Sequence, residues 1–223
     1  MIIKKTAIIL GASGLTGGHI LKKLIDDDRY ETIKLFSRSK LEGQPEKVEQ
    51  YIGDLLDMEQ FTSHFTADEV YCCIGTTKRK TPDKTLYKKI DCGIPVSAAK
   101  LAKANNIDTF LVMSSMGADK DSSTFYTKVK GEMEASVRQQ KIKHTYLFRP
   151  TLIGGDRDDK RILENIELLL FKAIKPILIG FLRKYRITKA ETIAKAMIFL
   201  ANTQNDFEVI VTSEAIQKLG NTN

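Results

Sequence analysis

Several residue types that announce common kinds of protein are scarce here. There are only three cysteines, Cys72, Cys73 and Cys92. The odd count and the absence of CxxC spacing argue against a disulfide framework and for free, buried thiols in a reducing compartment. The three histidines, His19, His64 and His144, are scattered without metal-ligand spacing, so no metal is expected. Long apolar runs are missing as well. No stretch approaches ~20 uncharged apolar residues, so no membrane span is expected. The opening MIIKKTAIIL sets two lysines before an apolar run, as a secretory leader does. That run stops at Gly11, too soon for a leader's apolar core. A cytoplasmic protein is the resulting expectation. Repeats and low-complexity segments are also absent.

What is present is ordinary globular material. Apolar residues make up 42% and charged residues 28% of 223 positions, enough for a full core in one domain. The net charge is +7, drawn from separate clusters that include SRSK, KRK and LRKYR. A nucleic-acid surface would show a continuous basic stripe with interleaved aromatics, and these clusters mostly lack them. Nucleic acid is therefore not an expected partner; a small anionic ligand such as a phosphate fits the balance better.

Short apolar runs alternate with helical stretches. TAIIL, TIKLFSR, KVEQYIGD, EVYCCIG, TFLVMSS and HTYLFRP read as strands. LTGGHILKKLIDD, a long stretch near LYKKIDCGIPVSAAKLAKANN, and YTKVKGEMEASVRQQ read as helices. This rhythm predicts an α/β fold, a doubly wound parallel sheet in a three-layer αβα sandwich. Asn105 and Asn106 read as a helix-ending turn. After Pro150 the pattern changes. ENIELLLFKAIKPILIGFL is apolar but broken by charges and Pro176. It suits a core-covering helix pair, a homodimer face or a membrane-surface segment, the first needing no partner. KAETIAKAMIFLAN reads as an amphipathic helix, FEVIV as a late strand, and LGNTN as a frayed tail. The expected organisation is one domain over 1–223, with 151–190 contributing a small substrate-side lobe.

The most telling stretch is AIILGASGLTGGHI. It places Gly11, Gly14 and Gly17 at the junction of the first strand and first helix. Glycines there allow a tight turn and close backbone approach to a pyrophosphate. The helix N-terminus adds free N–H groups and a favourable dipole. Gly11, Ser13, Gly14, Leu15, Thr16 and Gly17 are thus the candidate cradle for a dinucleotide. An NAD-type site usually carries an acid after the second strand; here Ser37, Arg38 and Lys40 stand in its place. Arginine suits a 2′-phosphate, so NADP is favoured over NAD. Asp54 follows the third strand, where it could hold an adenine amino group or equally cap the helix carrying Leu55 and Met58. Gly75, Thr76 and Thr77 follow the fourth strand, at the edge where such a cofactor lies.

A second constellation is SSMGADKDSSTFYTKVKGEMEA. Tyr126 and Lys130 are four residues apart, on one helix face. A free phenol titrates near ~10, and an ammonium ~4 Å away favours its ionised form by about 4 kcal/mol at an effective dielectric near 20. Such a phenol can deliver a proton to a carbonyl oxygen. Together with GASGLTGGHIL, CCIGTT and FRPTLIGGDR, this run resembles the atypical short-chain dehydrogenase/reductases, NAD(P)-binding Rossmann-fold proteins, and among them the Tat-interacting-protein (HTATIP-like oxidoreductase) group. The likeness spans most of residues 6–157. It implies a catalytic set of Ser115, Tyr126 and Lys130, with Lys130 also reaching the nicotinamide ribose. Ser114 is the alternative serine, otherwise on the cofactor side. Pro150 and Thr151, after the sixth strand, would lie near the nicotinamide or form a rigid strand exit. The implied activity is hydride transfer on a small carbonyl or alcohol substrate. The group also includes regulatory members, so a non-catalytic dinucleotide-binding module is the alternative; an epimerase using bound nicotinamide transiently is a third. Lys78, Arg79, Arg157, Arg161, Arg183 and Arg186 could hold an acidic substrate group or simply be solvated.

Overall fold

A computed structural model of the chain describes residues 4–154, 187–203 and 209–222. Seven parallel strands form the central sheet: β1 (Lys5–Leu10), β2 (Tyr30–Ser37), β3 (Val48–Ile52), β4 (Glu69–Cys72), β5 (Thr109–Met113), β6 (His144–Arg149) and β9 (Ile210–Thr212), in the spatial order β3-β2-β1-β4-β5-β6-β9. Two further strands, β7 (Ile153–Gly154) and β8 (Thr188–Lys189), make a separate two-residue ladder. The order reverses between β1 and β4. The loops leaving those two strands diverge there and open a crevice at the carboxyl edge.

The inner strands β1, β4 and β5 are largely buried on both faces because both faces are covered, whereas the edge strand β3 carries Glu49 and Gln50. On β1, Ala7 and Ile9 face one layer while Ile8 and Leu10 face the other. The first layer holds α1 (Leu15–Ile25), α5 (Ala190–Asn202) and α6 (Ser213–Gly220), which contribute Ile20, Leu24, Ile193, Met197 and Ile216. The second holds a 3₁₀ turn (Met58–Phe61), α3 (Ile94–Ala104) and α4 (Phe125–Arg138), which contribute Phe61, Ala98, Met133 and Val137. The expected doubly wound, three-layer αβα sheet is thus what forms.

Three local readings are corrected. The long helix after Gly75 is a composite: α2 (Lys84–Lys88), a π-turn at Lys89–Gly93, then α3. Pro95 explains the break, since it has no N–H for the carbonyl four residues back, that of Asp91. The C-terminal LGNTN is not simply a frayed tail. Leu219 and Gly220 belong to α6 and are buried, and a methyl group on Gly220 would sit 2.2 Å from the Thr192 oxygen of α5. The helix expected around Leu55 and Met58 is only the 3₁₀ turn. Asn106 does end α3, with a left-handed φ of 55°. The apolar stretch 164–182 and most of the proposed lobe at 151–190 lie outside the described residues.

Candidate functional site at the carboxyl edge

The glycine turn is shaped by backbone contacts that side chains would destroy. Gly11 has a φ of +85°, and a Cβ there would lie 2.8 Å from the Cys73 carbonyl oxygen of the neighbouring strand exit. At Gly17 a Cβ would be 2.2 Å from the Gly11 oxygen, so α1 sits directly on the turn. The turn is closed by the Gly14 N–H donating to the Gly11 oxygen at 2.9 Å. Gly14 is the N-cap of α1; no side chain caps it, and no acid occupies the first turn. Ser13 is exposed, Leu15 half-buried and Thr16 buried. The first-turn N–H groups of α1 have no intrahelical acceptors and face the crevice mouth with the positive end of the helix dipole. An open groove of ≈ 590 Å³ runs beside the turn, lined by Ser13, Gly14, Leu15, His19 and Leu41 among others.

The neighbouring strand exits carry the other expected residues. At the end of β2, the Ser37 hydroxyl donates to the Ser39 oxygen at 2.7 Å. Arg38 is exposed and makes no ion pair among the described residues, whereas Lys40 pairs with Glu42 at 3.8 Å. After β3, Asp54 Oδ1 accepts the Leu56 N–H at 2.9 Å, closing a tight turn. After β4, Gly75 and Thr77 are exposed while Thr76 is partly buried. The Thr76 N–H donates to Asp91 Oδ2 at 2.7 Å, and its hydroxyl meets that of Thr81 at 2.9 Å.

The serine, tyrosine and lysine come from β5 and α4. Ser114 and Ser115 leave the end of β5, and both are nearly buried. The Ser114 hydroxyl is committed: it donates to Glu134 of α4, whose carboxylate also receives the Arg149 guanidinium, Nε at 2.9 Å. That partnership holds Arg149 above its ordinary range. The Ser115 hydroxyl makes only a long 3.4 Å contact with the Met116 oxygen. Tyr126, in the first turn of α4, is 41% exposed, and its hydroxyl has no hydrogen bond among the described residues. Lys130, one turn on, is 3% exposed. Its Nζ pairs with Asp91 Oδ1 at 3.1 Å and donates to the Met113 oxygen at 3.3 Å. The ammonium expected to act on the phenol is therefore balanced by a buried carboxylate.

A model of the family described as NAD(P)H-binding matches residues 11–173, well over half of the chain. The chain belongs to that family. Relatives bear out the finer resemblance, to the HTATIP-like group of atypical short-chain dehydrogenase/reductases. Protein HTATIP2 of Rattus norvegicus is 36% identical over 161 residues, 70% of this chain and 66% of that protein. Thus the chain spans just under two thirds of that relative. Protein FMP52, mitochondrial, of Candida glabrata is 33% identical over 162 residues, 70% of this chain and 67% of the relative. Among solved structures, MoeE5 in complex with UDP-glucose and NAD shares the fold at a TM-score of 0.68 and 12% identity, over 92% of this chain and 75% of that one. The cytoplasmic expectation is corrected by the FMP52 relatives, several of which carry "mitochondrial" in their names.

The NAD(P)H-binding chain holds three site features that motif reading passed over. Asp91 is the first, 1% exposed and paired to Lys130. Its signal was present: Tyr87, Asp91, Ile94 and Ala98 follow helical spacing, so an acid occupies an apolar stripe. Gly131 is the second. A Cβ there would lie 2.1 Å from the Lys120 nitrogen, so α4 is pressed onto the loop that carries Ser115. The third is Tyr87, whose hydroxyl reaches the Thr76 oxygen at 3.4 Å and whose ring meets Phe125 edge-on at 5.6 Å. Burial, and then the Asp91 charge, push that phenol's pKa well up. Pro150 is buried and its oxygen accepts the Met116 N–H at 2.9 Å; the Thr151 hydroxyl lies 3.3 Å from that of Thr188. Cys72 is free and buried, its thiol pushed up to about 12 by burial; Cys73 and Cys92 are free and partly buried. Lys78 and Arg79 are exposed; Arg157, Arg161, Arg183 and Arg186 lie outside the described residues. No described helix is long and apolar enough to cross a membrane.

Proposed function

We propose that the chain is an NADP-dependent oxidoreductase that interconverts a carbonyl compound and its alcohol. The observation that carries the reading is that one sheet edge gathers an uncapped glycine turn, an unpaired arginine and the Ser115–Tyr126–Lys130 set. The residues fit a dinucleotide. Gly11 and Gly17 let the turn close and α1 sit directly on it, where Cβ atoms would collide with the Cys73 and Gly11 oxygens, and the start of α1 offers N–H groups to phosphate oxygens, with Ser13, Leu15 and Thr16 in the same turn. Arg38 would take the 2′-phosphate, and the Asp54 oxygen not used in its turn would take the adenine amino group. Gly75, Thr76 and Thr77, and Pro150 and Thr151, would line the nicotinamide end, with Ser114 bracing Glu134 behind it.

When bound, the nicotinamide supplies or receives the hydride. The rest falls to the chain. Ser115, with its hydroxyl almost uncommitted, would hydrogen-bond the carbonyl oxygen. Tyr126 would give that oxygen its proton in reduction and remove it in oxidation. Lys130 has three donors and, among the described residues, spends two on Asp91 and Met113; the third would serve a ribose hydroxyl. Exposed Met116, Leu152 and Ile153 flank the same edge, which suits a substrate with an apolar body. The FMP52 names support a mitochondrial site of action.

A second reading, a dinucleotide-responsive module without turnover, is favoured by one observation: Asp91 offsets the charge that would activate the phenol. Thermal unfolding with NADPH and NADH tests the shared premise. A ligand at ~100 times its dissociation constant should stabilise the fold by about 2.7 kcal/mol. Arg38→Ala should weaken NADPH about 10- to 100-fold and leave NADH unchanged, the loss expected for charged hydrogen bonds. No response to either dinucleotide would overturn both readings; equal responses from wild type would remove the NADP preference.

A further inference from the structure

Asp91 joins three parts of the chain that the fold brings together from far apart in sequence. Its Oδ1 holds the Lys130 ammonium of α4 at 3.1 Å, and its Oδ2 receives the backbone N–H of Thr76, in the loop leaving β4, at 2.7 Å. The carboxylate itself projects from the π-turn that Pro95 forces on the helical run. It is 1% exposed, so neither contact has water as an alternative. The Thr76 peptide is held from its other side too, through the Tyr87 hydroxyl on its carbonyl oxygen. Lys130 is fixed a second time, on the Met113 oxygen at the end of β5.

We propose that Asp91 is a positioning residue that couples the dinucleotide-facing loop after β4 to Lys130, through one carboxylate shared between the Thr76 amide and the lysine ammonium. The inference rests on the dinucleotide reading of the carboxyl edge. Its physical content is that neither partner can move without disturbing the other. If the ammonium is withdrawn, a buried carboxylate is left unpaired; it must draw in water or a proton, and its grip on the Thr76 N–H loosens. If the carboxylate is withdrawn, Lys130 keeps one anchor on Met113, and Thr76 keeps only the longer 3.4 Å Tyr87 contact on its carbonyl oxygen to the helical run among the described residues. Both partners lie at the crevice, so the arrangement presents the spare lysine donor and the loop to one ligand in a fixed relation. A carboxylate suits this because a different oxygen accepts from each partner; an amide would turn its NH2 donor group toward one of the two donors.

The test uses the full-length chain, NADPH as the probe, and amide exchange at Thr76 as the local readout. Asp91→Ala should raise the NADPH dissociation constant about tenfold or more and speed Thr76 exchange. Lys130→Met should also speed Thr76 exchange, although Lys130 makes no hydrogen bond to Thr76. Adding Asp91→Asn to Lys130→Met should slow that exchange again, because the amide oxygen can then serve Thr76 and no buried charge is stranded. The double variant also guards against a poorly folding alanine variant. A role limited to general stability predicts lower unfolding temperatures with unchanged NADPH affinity and no selective change at Thr76, and that result overturns the inference. Wild type that binds NADPH while Asp91→Ala binds it equally well overturns this inference alone. Wild type that binds neither NADPH nor NADH overturns the dinucleotide reading with it.

Discussion

The two edges of the sheet each hold a lysine paired with a buried acid, and the two pairs are built differently. At the amino edge Lys5 spends all three donors: on Glu69 Oε2 at 3.0 Å, the Ala201 oxygen at 2.9 Å and Asn202 Oδ1 at 3.0 Å. Glu69 is equally occupied, since its other oxygen takes the hydroxyls of both Tyr30 and Tyr71. At the carboxyl edge, among the described residues, Lys130 spends two donors, Ser115 barely uses its hydroxyl and Tyr126 stands half open. One edge is a closed polar network tying β1, β2, β4 and α5 together. The other leaves hydrogen-bonding capacity unused beside a cradle of bare backbone. A satisfied network rigidifies; an unsatisfied one is where a ligand can be recognised. Charge and burial alone do not separate the two pairs; the spare donor does.

The comparison breaks most visibly at the two phenols. Tyr126→Phe removes a hydroxyl with no protein partner among the described residues. It should leave the unfolding temperature and NADPH affinity unchanged while cutting turnover about 10²- to 10⁴-fold, followed as NADPH oxidation across aldehydes, ketones and quinones. Unchanged turnover would leave the non-catalytic module as the better reading. Glu69→Ala should do the reverse. It strands two buried phenols and Lys5, so denaturant unfolding should show a loss of about 3–5 kcal/mol, with NADPH affinity per folded molecule retained. Tyr30→Phe is milder, about 1–2 kcal/mol, since it removes one hydroxyl between Glu69 and Asn202 and leaves the Tyr71 contact standing. If Tyr30→Phe disturbed cofactor binding as much as stability, the two edges would not be separable.

Sequence reading served the two edges unequally. The candidate residues of the carboxyl edge were legible because they follow strand ends: Gly11, Arg38, Thr76 and Ser115 each come soon after an apolar run, and Tyr126 and Lys130 share a helix face at fixed spacing. The layers were legible for the same reason, since strand–helix alternation with strands apolar on both sides admits few folds. Pairings between distant segments were not. Nothing local says that Asp91 meets Lys130, 39 positions on, or that Glu69 gathers Tyr30, Tyr71 and Lys5. Those contacts exist only once parallel strands are laid in register, Ala7 opposite Glu69 and Lys5 opposite Tyr30. A buried-stripe position occupied by an acid was the available signal for Asp91. The difference between Ser114 and Ser115 was hidden too, since Glu134 and Arg149 converge on the first serine only in three dimensions.

The smallest expected effect concerns pH. Burial raises the Glu69 pKa above its ordinary 4.5, against the opposing pull of Lys5 and the two phenols. The folded protein thus keeps a proton on Glu69 to higher pH than the unfolded chain does. The stability this contributes is fully present below the unfolded value and is lost as pH rises through the folded one. Glu69→Gln removes that titration while Lys5 stays charged and the phenols stay neutral. The unfolding free energy of wild type minus that of Glu69→Gln should therefore shrink as urea titrations move from pH about 4.5 toward neutrality. A difference that grew instead would mean that Lys5 and the phenols outweigh burial. The amino-edge acid would then gain from its charge in the fold, held by Lys5 and the two phenols against the cost of burial.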